Sequence, residues 1–292
     1  MALDAWAATL IFALSGLLIG SFLNVVVYRL PVMLQRAWRH DSVAFLREQG
    51  VGLPDDAAGD TTPFNLVTPR SRCRACGHPV SALENVPVLS YLLLRGRCRA
   101  CKTPIGMRYP LVELATAAAF AFCGHQWGVS WTAAAWALFC AVLIALILID
   151  WDTTLLPDSL TLPLLWAGLM ASWAGLIAVP LRQSVLGAAV GYLSLWSIAM
   201  LFKLVTKKEG MGHGDFKLLA ALGAWLGAGA VLPIVLASSL LGAVVGVVLK
   251  LRQGLREGGY IPYGPFLGGA GLLVLWCTPE RVNGWLNGLM GF

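Results

Sequence analysis

Eight stretches of this chain are too long and too apolar for the surface of a soluble protein, and they decide what it can fold into. They lie near 5–28, 111–128, 131–149, 159–179, 184–204, 217–230, 231–249 and 264–278. A transmembrane helix needs about 20 mostly apolar residues. Segment 217–230 is the shortest, and its ends are the least sharply marked. The chain has 292 residues, 58% hydrophobic and 12% charged, where a soluble domain carries about 25% charged. One core cannot absorb that much apolar surface, so the lipid bilayer must be its solvent. The expectation is an all-α, polytopic integral membrane protein of about eight transmembrane helices. Asp4, not a basic residue, precedes the first segment, and no small-residue cleavage site is evident. It reads as a retained helix and not a secretory signal.

The formal net charge of +6 is a matter of topology here, with no nucleic-acid partner implied. With the N-terminus outside, the inner segments are 29–110, 150–158, 205–216 and 250–263. Of the 21 Lys and Arg residues, only Arg182 and Arg281 then fall outside. The inner ends hold the rest, from Arg29, Arg36 and Arg39 to Arg252 and Arg256. Such sorting follows the positive-inside rule and supports an even number of crossings.

One large polar insertion, 29–110, interrupts the membrane pattern after the first helix. The expected organisation is a first transmembrane helix (1–28), a cytoplasmic four-cysteine module (29–110) and a transmembrane bundle (111–292). Within the insertion, "LQRAWRHDSVAFLREQG" has the composition of an amphipathic helix on the membrane surface, and "LPDDAAGDTTPFN" reads as loop. No internal repeat or low-complexity tract is evident.

"CRAC" occurs twice, as Cys73/Cys76 and Cys98/Cys101, with 21 residues between the two pairs. Two C-x2-C turns at this spacing read as a zinc ribbon. Each turn aims two thiolates at one centre, and two turns complete a closed tetrahedral shell, which makes the zinc structural. Arg72, Arg74, Arg97 and Arg99 offset the negative charge of such a centre. Two disulfides or four ordinary thiols are the alternatives. A cytosolic loop disfavours the first, and the repeated spacing disfavours the second. With few aliphatic residues in the loop, metal is expected to fold it. Cys123, Cys140 and Cys277 read as small buried hydrophobes.

Among the 15 Asp and Glu residues, those at membrane depth are functional candidates by default. Asp150 follows "AVLIALILI" at a helix C-terminus, where the macrodipole disfavours an anion. Asp215 follows "GMGHG" at the start of the sixth segment. It also fits an N-cap, but capping leaves Gly212 and Gly214 unexplained. Glycines allow positive φ and close approach of a substrate segment or another helix. His213 reads as an exposed loop residue. Asp158 fits a helix start as well as it fits a site, and Asp152 lies in a polar loop. Glu113 and Glu84 are candidates to meet a basic or amine-bearing substrate, although a solvated or helix-starting acid also describes each. Glu209 is a weaker candidate.

By the charge sorting, Asp150 and Asp215 share the cytoplasmic boundary, 65 positions apart. If their helices are neighbours, the carboxylates meet and cannot both ionise cheaply. Such a pair can run aspartic-protease chemistry.

The motifs "IDWDTTLLPD" and "GMGHGDFKL", with "GSFLNVVVYRLP", the double C-x2-C loop and "IPYGPFL", resemble the prepilin peptidase family over nearly the whole chain, in order. GxGD is also the signature of presenilin-like intramembrane aspartyl proteases. The resemblance implies a bifunctional enzyme of the bacterial inner membrane, serving type IV pilus and type II secretion systems. Such enzymes cut a basic leader from prepilins or pseudopilins after a glycine, at the cytoplasmic face. They then methylate the new N-terminal amine with S-adenosylmethionine. It carries the catalytic aspartates onto Asp150 and Asp215, and the cysteine pairs onto Cys73, Cys76, Cys98 and Cys101. Those cysteines accompany the methyltransferase-competent form. The chain shows no glycine-rich strand-to-helix fingerprint for S-adenosylmethionine, so the methyl-transfer half is implied by the resemblance alone. The main rival is an ion-coupled or small-molecule transporter with a zinc-stabilised domain. It expects acids at the midplane and an inverted repeat, and neither is seen. A zinc-stabilised scaffold leaves the matched depth of Asp150 and Asp215 unexplained.

Overall fold

The computed structural model describes residues 2–60, 62–208, 210–251 and 261–277. Glu209, Arg252, Arg256 and Arg281 therefore lie outside the described residues. The chain forms two compact units, Met1–Gly128 and Val129–Phe292. Among the described residues there is no strand, only two isolated bridges.

The first unit is built on α1 (Ala2–Glu48), 47 residues long. At 1.5 Å per residue it extends about 70 Å, over twice the hydrocarbon thickness of a bilayer. Pro31 sits inside it. Proline's fixed φ is itself helical, so the helix loses one hydrogen bond without ending. This corrects the expected surface helix: residues 34–48 continue α1. The following segment folds back along this extension. Arg29 donates to Asn65 O at 2.8 Å and Pro69 O at 2.5 Å, and Arg39 to Ala57 O at 2.7 Å. Arg36 pairs with Asp60 at 3.0 Å, and Arg29 and Arg36 both lie over the Phe64 ring. These arginines thus have structural work beyond setting topology. After a five-residue helix, α2 (Leu89–Leu93), comes α3 (Arg108–Trp127), antiparallel to α1. A methyl group at Gly16 would lie 2.7 Å from Ala117 Cα, and one at Gly20 2.7 Å from Glu113 Cα. Small residues let the two backbones touch, as membrane helices require.

The second unit holds α4 (Trp131–Thr153), α5 (Asp158–Trp173), α6 (Leu181–Thr206), α7 (His213–Leu226), α8 (Ala228–Leu251) and α9 (Gly264–Cys277). Its centre is α7, buried at all but one position from Asp215 to Leu226, Lys217 excepted. A helix apolar on every side must be enclosed by protein or lipid. Here α5, α6, α8 and α9 all pack on it. Gly187 of α6 and Gly223 of α7 meet backbone to backbone, and Ser184 donates to Ala224 O at 2.5 Å. Trp225 donates to Leu164 O at 2.8 Å and stacks near Trp136 and Phe139 of α4.

The expected break between the sixth and seventh segments, at 230/231, falls at Gly227. Its φ of 84° suits glycine and stops the helix there. The α7 helix is consequently only about 21 Å long. Each expected segment contains a helix. Among the described residues, four helices, α1, α4, α6 and α8, are long and apolar enough to cross a membrane.

Candidate active site and metal site

Asp150 occupies the last turn of α4, and Asp215 the first turn of α7. Both are buried, at 4% and 7% exposure, and near enough for the charge on one to act on the other. Asp215 is not the N-cap. Gly212 holds that position, without a side-chain cap bond, so capping does not account for the carboxylate.

The route from one aspartate to the other runs through a tight loop. Thr154 caps α4 in the left-handed conformation, φ 54°, its N–H donating to Asp150 O at 2.8 Å. The chain turns back, and Leu156 drops between two helix starts. A methyl at Gly214 would lie 2.7 Å from Leu156 Cβ, and one at Gly264 would lie 3.1 Å from Leu156 Cδ1 and 2.5 Å from Asp150 Oδ2. What approaches Gly214 is therefore the chain's own leucine. Gly212 is open apart from Asp215 Oδ2, 4.0 Å from a methyl placed there. Neither glycine uses a positive φ. Leu156 and Gly264 were missed as site residues by sequence reasoning. Only the motif "IPYGPFL" hinted at the second.

The other acids separate cleanly. Asp158 begins α5 and receives Lys217 Nζ on both oxygens at 2.7 Å, tying the first turn of α5 to that of α7. Asp152 is exposed. His213 is an exposed first-turn residue whose ring lies 5.5 Å from that of Phe216. In the first unit, Glu113 is buried and accepts from Val88 N at 2.7 Å.

The four cysteines converge. Their Sγ atoms all lie within 4.8 Å of one another, with Cys73 Sγ 3.7 Å from Cys101 Sγ. Zn–S bonds of about 2.3 Å make the edges of a thiolate tetrahedron about 3.8 Å, so the donor set fits one zinc ion. All seven cysteines are free, and four sulfurs gathered at one centre suit a metal better than two separate disulfides. The repeat extends beyond CRAC, and it explains the convergence: "RCRACGHP" (72–79) and "RCRACKTP" (97–104) fold alike. Cys73 N donates to His78 O at 2.8 Å, and Cys98 N to Thr103 O at 2.9 Å. Gly77 and Lys102 take matching positive φ, 72° and 58°. Backbone N–H groups of Cys76 and Ala75 hold the Cys73 thiol below its ordinary range, and the Thr103 hydroxyl and N–H draw Cys101 down to about 6. Both effects favour the thiolates a metal needs. At Cys76 the His78 N–H acts to lower the thiol, but crowding by the other three thiols outweighs it and pushes Cys76 up to about 11, a crowding that a shared cation offsets. Glu84 clamps the two knuckles. It accepts from Ser81 N at 3.0 Å, and faces His78 of the first knuckle at 3.4 Å and Arg99 of the second at 3.6 Å. It is not a solvated acid, since its side chain is only 9% exposed, although it does lie in the first turn of the short 3-10 helix Leu83–Asn85.

A membrane bundle with two buried, interacting carboxyls, together with a four-thiolate module, defines a class of membrane protein, and comparison identifies the family. Residues 14–127 match the bacterial peptidase A24 N-terminal domain, and residues 137–247 the type IV leader peptidase family. The prepilin leader peptidase/N-methyltransferase of Pseudomonas aeruginosa is 50% identical over 90% of this chain and 88% of its own. That of Aeromonas hydrophila is 51% identical over 92% and 91%, and that of Neisseria gonorrhoeae 44% identical over 94% and 93%. No solved structure gave a significant match. The chain belongs to the type IV leader peptidase family.

Proposed function

We propose that this chain is a bifunctional enzyme of the bacterial inner membrane. It cleaves the leader of type IV prepilins or type II secretion pseudopilins, and then N-methylates the exposed residue. The observation that carries the peptidase half is the juxtaposition of buried Asp150 and Asp215. One carboxyl, ionised, takes a proton from the attacking water. The other, protonated, donates to the scissile carbonyl and stabilises the tetrahedral intermediate. The two titrate as a pair. A transporter reading has no use for two carboxyls interacting at helix ends.

The full topology belongs to the same proposal. All eight helical segments cross the bilayer, with the N-terminus periplasmic and the dyad at the cytoplasmic face. The organisation is a first membrane helix (1–28), the cytoplasmic module (29–110) and the peptidase bundle (111–292). Cys73, Cys76, Cys98 and Cys101 hold a structural zinc that fixes the two knuckles together. S-adenosylmethionine is the methyl-donating co-substrate.

The test is direct. Purified protein is incubated with a prepilin and S-adenosylmethionine and compared with Asp150→Asn and Asp215→Asn. Cleavage should vanish in both variants, and persistence in both sinks the dyad. A methylated N-terminus in wild-type product, read by mass spectrometry, tests the second activity.

A further inference from the structure

Unit one carries an apolar surface at an unusual depth. The α2 helix exposes Leu89, Leu92 and Leu93 at 56%, 65% and 76%. Three leucines on one and a half turns, facing away from the protein, call for a partner.

The hydrogen bonding ties the start of α2 to α3 at a point where α3 touches α1. Val88, which starts α2, donates its N–H to Glu113 Oε2 at 2.7 Å. Glu113 lies against Gly20 of α1. Tyr109 O, one turn earlier on α3, accepts from Asn24 of α1 at 3.2 Å. Gly20 and Asn24 fall inside the apolar run of α1, and Gly20 lies about 13 Å of helix before Arg29, its first basic residue. The start of α2 is thus tied to a level where α1 is still apolar, and α1 is long and apolar enough to cross a membrane. Water is not the natural partner of those leucines.

The chain then rises into a basic cleft. Leu93, Leu94, Arg95, Arg97 and Lys102 line a space of about 430 Å³. The turn is well braced. Gly96 N donates to Tyr91 O at 2.8 Å and Ile105 N to Gly96 O at 2.7 Å, while Arg95 and Lys102 take left-handed φ of 52° and 58°. None of the three cations forms an ion pair among the described residues. Exposed leucines tied to an apolar level of α1, with Leu93 lining the same space as the cations Arg95, Arg97 and Lys102, match an interfacial helix on an anionic lipid.

We propose that α2 and this cleft bind an anionic phospholipid. Leu89, Leu92 and Leu93 enter the acyl region, and Arg95, Arg97 and Lys102 hold the headgroup phosphate. The site anchors the cysteine module to the membrane surface, and it does not depend on the dyad.

The test uses the full-length protein in nanodiscs of phosphatidylcholine, alone or mixed with phosphatidylglycerol. Amide hydrogen exchange over 89–97 and lipid adducts in native mass spectrometry are read together, with bound zinc as a check of folding. Exchange should slow when phosphatidylglycerol is present. Arg95→Ala should reduce phosphatidylglycerol retention about fivefold, the effect of roughly 1 kcal/mol per surface cation, and Arg95→Lys should restore it. Leu93→Ser, which leaves every cation in place, should speed exchange in both lipids. Equal exchange with and without phosphatidylglycerol overturns the proposal. So does protection conferred by inorganic phosphate or S-adenosylmethionine in phosphatidylcholine alone, since the cleft would then serve a soluble ligand.

Discussion

Gly264 lacks a side chain where Asp150 lies: a methyl group there would sit 2.5 Å from Asp150 Oδ2. The start of α9 therefore forms one wall of the carboxylate's seat. Gly264→Ala should push Asp150 aside. A displacement of about 1 Å at a reacting group can lower a rate about 100-fold, so cleavage should fall by roughly that factor, chiefly in kcat. Gly269, on the same helix, has nothing within 4 Å of a methyl placed there. Gly269→Ala is the control and should cleave normally. Equal loss in both variants would point to α9 itself rather than to Asp150.

Lys217 and Asp158 lock the first turns of α7 and α5 with two 2.7 Å contacts. Asp158 is largely exposed, and exposed pairs contribute only about 0.2–1 kcal/mol. Lys217→Gln and Asp158→Asn should each slow cleavage modestly, by less than about tenfold, and the double variant should be no worse than the poorer single one. Additive losses in a double-mutant cycle would mean that the two residues act separately.

Cys73→Ser, Cys76→Ser, Cys98→Ser or Cys101→Ser should each cut bound zinc sharply, measured by metal analysis of purified protein. Glu84→Gln should loosen it less, because the four thiolates remain while the clamp between the knuckles weakens. Intact protein with no zinc would count against the metal site.

Acidification should release that metal. Ligand thiols must be deprotonated, so binding weakens as pH falls and protons compete. The raised Cys76 thiol should take a proton first, and the depressed Cys73 and Cys101 thiols last. Metal occupancy followed downward from neutral pH should therefore decline, and protease sensitivity of 70–105 should rise with it. Occupancy that increased on acidification would contradict thiolate ligation.

Arg29 is buried and serves two backbone carbonyls, those of Asn65 and Pro69. Hydrogen bonds to charged groups are each worth about 1.5–3 kcal/mol. Arg29→Ala should free the segment from α1, giving new cleavage sites near 60–69 in limited proteolysis while α1 stays intact. An unchanged digest would show the segment held by Arg36, Arg39 and Asp60 alone.

Much of this protein was legible in the sequence because the relevant physics is local. Apolar runs announce helices wherever they end up. Two C-x2-C turns carry their own geometry, so four cysteines could be named as one metal site. Asp150 stood out because a carboxylate after "AVLIALILI" has no local reason to exist. Other features had no local signal. Beyond Pro31 the α1 helix is gripped by a folded-back segment, through Arg36 and Arg39, and those contacts span 18 to 26 positions. Glu84 reads as an ordinary surface acid until His78 and Arg99 are brought to it.

By itself the sequence determined an apolar, helical chain, four cysteines at metal-ligand spacing and two acids set beside apolar runs. These follow from hydropathy, charge sorting and residue spacing, each a property of one segment. Tertiary structure alone decided which helix lies at the centre and what surrounds the acids. The short α7 is enclosed because glycines and Ser184 let α6 press onto its backbone. Asp150 and Asp215 lie together because α4, α7 and α9 converge around Leu156. Such neighbours are set by packing between segments distant in the chain, and no single segment encodes them.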